Sequence, residues 1–463
     1  MEKKDRNIII LLMLLQAVIT IPFIDAFPIA LDEPFSIFYA QQDIGEFLPI
    51  INQGNNSPLH FVLLHFWIKL FGVTPFAVRS LSLVLSLIAI PVLYQLSKQI
   101  SSRKWAVLTV FLFVFSKFLH LHAIESRMYM LFVLLFILIL FVLNQILLLG
   151  KNKFIFLIVL NVLLFYTHYL SFFVFLSEFL VFLVFWRKAI VFWKSIIFGI
   201  LSFLLAILPG LLVLFNRIDT GATQDSWVPK PHITELYGNI LRFFNGTLIC
   251  FIILVIVLVL YFIKKPTIKI ANLLSPQFKL ISIIFLANYI GMYVFSVLIQ
   301  PVFIDRYLLF NSIPLFLIFT YLLYRVFGDL HWIYLFVIGI PFIFNVHLIP
   351  NTNRNPDKIA AILLRNDKEV KRMYVSPPWI NLSIMYYYDL AIFKDYKTYK
   401  AHALKEIYSL EEMDRTQDFM LVNSREGFVK SKEEVVNKFS ATHVLFEYYF
   451  VNELYDVFYF KLK

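Results

Sequence analysis

A single cysteine, Cys250, occurs in 463 residues, and it sits inside an apolar run. No disulfide can close within the chain, and a metal site built from cysteines is not expected. Charge is scarce too. Asp, Glu, Lys and Arg make up 15% of the residues, where globular chains carry ~25%. Apolar residues reach 60%, with mean hydropathy +0.78, more apolar surface than a soluble fold can hide. Length alone would suggest roughly three soluble domains; the composition replaces them with a bundle of membrane spans. No internal repeat runs along the chain, and no ionisable residue recurs at mid-span, which tells against an ion-coupled carrier.

Long apolar runs are what is there. A helical span needs about 20 apolar residues. Stretches near 7–27, 75–97, 105–119, 128–149, 153–170, 171–186, 195–215, 239–263, 279–300, 307–326 and 331–349 qualify, so the expectation is an α-helical polytopic membrane protein with about eleven transmembrane helices. Leu59–Phe71 is apolar but too short to cross, and is expected to lie along the surface or re-enter. The first stretch follows Met1–Arg6, and Ile21-Pro22-Phe23-Ile24-Asp25 is a poor cleavage site. It reads as an uncleaved span with a cytoplasmic N-terminus.

The net charge of +11 would raise nucleic-acid binding in a soluble protein. Here the positive-inside rule explains it, and membrane lipids rather than nucleic acid are the expected partner. With the N-terminus inside, loops on the cytoplasmic side hold sixteen Lys and Arg against eight on the other side. Residues 1–349 then form the membrane domain, with a first outer loop at about 28–74, and residues 350–463 form a small extracytoplasmic α/β domain. In that domain Arg372–Ser376, Asp418–Val422, His443–Tyr448 and Asp456–Lys461 are strand-like, and Ile359–Asn366 and Lys432–Phe439 helix-like. It contains no glycine-rich phosphate loop and no nucleophile elbow, so a structural or partner-contacting cap is the better reading.

Five polar clusters fall on the outer side. Asp32-Glu33 follows the first span; two acids before a proline also suit a plain helix start, while ionisable groups held at a membrane tend to be functional. Asn55-Asn56-Ser57-Pro58 reads as a turn before Leu59. His120, His122 and Glu125 offer metal-ligand types, although a polar turn is the commoner meaning of such a stretch. His168 lies in a thin break between two apolar runs. Asp305-Arg306 is either a snorkelling pair or a guanidinium placed for a lipid phosphate.

Taken in order over residues 7–330, these clusters resemble the C-type (GT-C fold) membrane glycosyltransferases of the protein O-mannosyltransferase and aminoarabinose transferase-like group. The landmarks are Asp32-Glu33, Ser57-Pro58-Leu59 leading to Phe71-Gly72 and Arg79, Glu125-Ser126-Arg127-Met128-Tyr129, Thr167-His168-Tyr169 and Asp305-Arg306-Tyr307-Leu308-Leu309. A weaker echo stands at Val375-Ser376-Pro377-Pro378-Trp379. The resemblance implies an inverting transfer from a polyprenyl-phosphate-linked sugar to a hydroxyl of a protein, lipid or envelope glycan at the outer face of a bacterial inner membrane. Asp32 matches the family's catalytic aspartate, the base, and Glu33 is its supporting neighbour. Arg306, then Arg127, with Tyr307, would meet the donor phosphate. Glu125, Tyr129, His168, Asn56, Trp227 and Lys230 would line the substrate site. Relatives carry Asp-x-His-Pro-Pro-Leu where this chain has Asn55-Asn56-Ser57-Pro58-Leu59, so the acid, the histidine and one proline are missing. No firm metal site is therefore expected; a divalent ion held by Asp32, Glu33 or Glu125 is the alternative left open. The rival functions are a transporter or flippase of lipid-linked saccharides and a non-catalytic envelope scaffold.

Overall fold

The computed structural model describes residues 2–53, 56–219, 228–266, 274–345, 354–370, 372–395, 397–398, 404–427 and 429–463. The chain divides into two compact units. The first joins Met1–Pro22, Leu48–His60 and Arg79–Leu348; the second joins Phe23–Phe47, Phe61–Val78 and Ile349–Lys463.

The first unit is helical, and the protein is an integral membrane protein. Among the described residues seven helices are long and apolar enough to cross a membrane, or eight if the pair Arg103–Phe115 and Lys117–Ala123, bent by 61°, is one span. Eleven spans were expected. Every expected stretch holds a helix, but Phe154–Thr167, Ser171–Val184 and Trp332–Phe344 are shorter. A 14-residue helix is ~21 Å long at 1.5 Å per residue, less than the ~30 Å apolar layer. The cause at the first break is His168, whose backbone is extended and ends the helix.

The expected span 239–263 is also broken, into Glu235–Phe243 and Thr247–Lys264. Asn245 and Gly246 both take positive φ, a conformation that glycine and asparagine adopt at least cost. The break serves a neighbour. The Asn245 amide accepts from the Lys117 N–H at 2.8 Å and donates to the Phe115 carbonyl at 2.8 Å, supplying the backbone groups that the bent pair leaves unmade. Elsewhere polar side chains tie the helices. Asp5 receives Tyr94, Lys98 and Arg103; Asn161 donates to Glu178 and Asn288 to Ser177.

The second unit is built on a five-stranded sheet. Its strands are β1 (Met373–Ser376), β2 (Lys405–Glu406), β3 (Phe419–Ser424), β4 (His443–Phe450) and β5 (Tyr455–Leu462). Their spatial order is β2-β1-β3-β5-β4. β1 runs parallel to both its neighbours, while β5 pairs antiparallel with β3 and β4. Four strands stand where the pattern put them; β2, of two residues, was not expected. Helices Pro356–Asn366 and Lys432–Phe439 match the two expected ones.

Helices from the early part of the chain complete this unit. The Tyr387 hydroxyl accepts from the Ile29 N–H at 2.6 Å, the Tyr386 hydroxyl donates to the Val73 carbonyl at 2.6 Å, and Gln42 donates to the Lys394 carbonyl. Phe38 packs edge-on against Phe393. The residues around Asp32 are thereby anchored to the C-terminal chain. Replacing Tyr387 by Phe strands the Ile29 amide at a cost of ~1–3 kcal/mol. Amide hydrogen exchange at Ile29 should speed by about fivefold or more, while exchange in the β3–β5 ladder stays unchanged. An unaltered Ile29 rate would contradict this anchoring.

Candidate functional site

Asp32 occupies the N-cap of the helix Glu33–Ala40, with Pro34 in its first turn. The plain helix-start reading of the acid pair holds. A helix begins there, yet the Asp32 side chain makes no capping hydrogen bond. The residue before it, Leu31, has φ 59°, a left-handed conformation that costs a non-glycine residue ~1–2 kcal/mol. Glu33 is buried, 5% exposed. Asp32 lines a cavity of about 130 Å³ within the second unit, together with Arg354, Trp379, Ser383 and Tyr455.

The other candidates gather in the first unit. Glu125 lies in the turn before the helix Tyr129–Leu147 and accepts from His122 Nδ1 at 2.7 Å. Its backbone carbonyl takes the Ser82 hydroxyl at 2.6 Å. Burial raises the Glu125 carboxyl; the His122 hydrogen bond and the nearby guanidinium charges of Arg127 and Arg306 outweigh it and hold the group below its usual range. Arg127 is buried and donates to Asn56 at 3.4 Å. His168 is pushed down to about 3 by burial first and then by Arg127 and Arg306. His60, at the start of Leu59–Phe71, is likewise pushed down to about 3 by burial and Arg127.

The fields of the two guanidinium groups thus reach both Glu125 and a neutral His168, and Arg306 and His168 line one cleft. His168 Nδ1 accepts from the Leu170 N–H at 3.1 Å, so the assigned tautomer carries its proton on Nε2 and offers a donor. His168, Tyr129, Arg306 and Tyr307 line a cleft of about 20 Å³, room for little more than one water. A larger anion enters only if side chains move. Asp305 is not the ion-pair partner of its neighbour: its carboxylate meets Arg242 at 3.4 Å and takes the Arg306 backbone N–H at 2.8 Å. The Asp305 carboxylate thus answers Arg242 and the chain itself.

Lys230 is exposed, and Trp227 lies outside the described residues. Among the described residues no three His, Cys, Asp or Glu side chains gather as a metal site. The sequence reading gave no role to His122 as the partner of Glu125, although their three-residue spacing was visible, nor to His60, Arg354 or Tyr455.

Two solved structures share this architecture. ArnT from Cupriavidus metallidurans bound to undecaprenyl phosphate matches at 11% identity over 97% of this chain and 97% of that one, with TM-score 0.50. The Archaeoglobus fulgidus oligosaccharyltransferase in its apo form matches at 9% identity over 91% and 70%, with TM-score 0.51. The chain has the GT-C fold. At such identities the likeness is one of fold. No protein-family model and no curated protein sequence matches the chain.

The histidine shifts have a sign. An unfolded histidine titrates near about 6.5, whereas folded His60 and His168 stay neutral down to about 3. Their contribution is complete above about 6.5 and is lost as pH falls towards 3, because the unfolded chain takes up protons that the fold refuses. Glu125, held low, acts in the same direction over a more acidic range. Acidification from pH 7 to 4.5 should lower the thermal midpoint in detergent micelles. The double variant His60→Asn/His168→Asn should show a shallower decline; an equally steep one would count against the assignment.

Proposed function

We propose that the protein is an inverting glycosyltransferase that moves a sugar from a polyprenyl-phosphate donor to a hydroxyl acceptor at the extracytoplasmic face of a bacterial inner membrane. The observation that carries this reading is the cleft that Arg306, His168, Tyr129 and Tyr307 line together, a guanidinium beside a neutral imidazole. It is supported by the GT-C fold, and by the undecaprenyl phosphate named for the ArnT structure.

The chemistry assigns a task to each group. Asp32 takes the proton from the acceptor hydroxyl. The freed oxygen bonds to the anomeric carbon as the bond from that carbon to the phosphate oxygen breaks on the opposite face, which inverts the centre. The bonding pair leaves with the polyprenyl phosphate. Its growing charge needs donors already in place, and Arg306, Arg127, His168 Nε2–H and the Tyr307 hydroxyl supply them. Glu125 limits the repulsion between the two guanidinium groups while the phosphate is away. Glu33 starts the helix behind Asp32 and orients it. Asn56 positions Arg127, Tyr129 shapes the wall, and Lys230 and Trp227 serve the sugar side. A base in such a step contributes about 10²–10⁴-fold.

Asp32→Asn should therefore cut sugar transfer from a polyprenyl-phosphate donor by at least ~100-fold with donor affinity nearly unchanged. Arg306→Gln should weaken donor binding about tenfold or more, through loss of a charge-assisted contact. The assay is release of labelled sugar by the purified protein in lipid nanodiscs. Full activity of the Asp32 variant would sink the assignment.

A further inference from the structure

The base named above must reach the proton it removes, to within hydrogen-bond distance. Within the second unit Asp32 opens onto the cavity of about 130 Å³ that it shares with Arg354, Trp379, Ser383 and Tyr455. We infer that this cavity is the acceptor subsite, and that the acceptor is a sugar ring whose hydroxyl faces Asp32. The inference rests on Asp32 as the base, and gives the C-terminal chain a part in choosing the substrate.

Three observations carry it. The first is the lining. Trp379 is 60% exposed and presents a large flat apolar face, which suits the C–H face of a pyranose. Around it stand a carboxylate, a serine hydroxyl, a phenol and a guanidinium, a set that pairs with ring hydroxyls. The second is that the polar groups are fixed before anything binds. Arg354 donates to the Tyr455 hydroxyl at 3.4 Å and is paired with Glu426 at 3.3 Å. Its fork is thus held in one plane and its charge is balanced, so the site does not demand an anion. The third concerns what a peptide would need. One common way for an extended peptide to bind is to add to a free strand edge. Of the five strands only β5 lines the cavity, through Tyr455, and β5 is paired on both sides. A ring-sized cavity without a strand edge favours a saccharide over a protein hydroxyl.

Saturation-transfer NMR on the full chain in nanodiscs tests this directly, with methyl α-glucoside and methyl α-galactoside as probes and a serine-rich hexapeptide as the comparison. Wild type should saturate the ring protons of at least one glycoside and not the peptide. Trp379→Ala should weaken that binding about tenfold. Arg354→Lys, which keeps the charge and is the milder change should the tryptophan variant unfold, should weaken it severalfold. Asp32→Asn should retain glycoside binding while losing transfer. Saturation of the peptide alone, no glycoside signal in wild type, or binding indifferent to both Trp379→Ala and Arg354→Lys would each overturn the proposal. Glycoside binding that follows these variants in a protein without any transfer activity would support the subsite and overturn the transferase reading instead, which keeps the two failures apart.

Discussion

Burying charge is expensive unless other charges and hydrogen bonds answer it, and the membrane unit is organised around one such debt. Arg127 is buried, and it acts together with Arg306 on Glu125 and His168. Glu125, half-buried, stays a carboxylate because the His122 hydrogen bond and the two guanidinium groups favour its charge. His168 answers in the opposite way, by staying neutral. Asp305 is kept out of the exchange by Arg242. The outcome is a cluster with two fixed cations, one carboxylate and a neutral donor, which is the arrangement a phosphate leaving group would find useful. The same groups are costly to hold in any protein that does not use them.

Much of this was legible in the chain. Apolar runs fix where helices form, because only a helix satisfies its own backbone inside lipid. The strand alternation of the C-terminal segment located β1, β3, β4 and β5 to within two residues at each end. The polar clusters were found because they interrupt apolar sequence. Helix ends were read less well. Asn245-Gly246 breaks an apolar stretch at a point dictated by the carbonyl of Phe115, more than a hundred residues earlier, and no local pattern carries that information. His168 cuts one long apolar region into two short helices through its backbone conformation, which residue type alone does not set.

The long-range joints of the second unit were the least legible part. Its joints are hydroxyl-to-backbone contacts such as Tyr387 to Ile29 and Tyr386 to Val73. Every residue has a backbone amide and carbonyl, so these pairings leave no trace in composition or spacing. Arg354 and Tyr455 meet by the same long-range folding. Asp32, which reads as a helix start beside a membrane, gains its chemical surroundings only when residues more than three hundred positions later fold around it.

The account stands on Arg127, Arg306 and His168 as the seat of a lipid phosphate. The most direct measurement is an experimental structure of the protein reconstituted with a polyprenyl phosphate. The account predicts phosphate density within hydrogen-bond distance of both guanidinium groups and of His168 Nε2, with the cleft beside Tyr307 opened to admit it. A phosphate bound elsewhere, with the cleft beside Tyr307 unchanged, would contradict it.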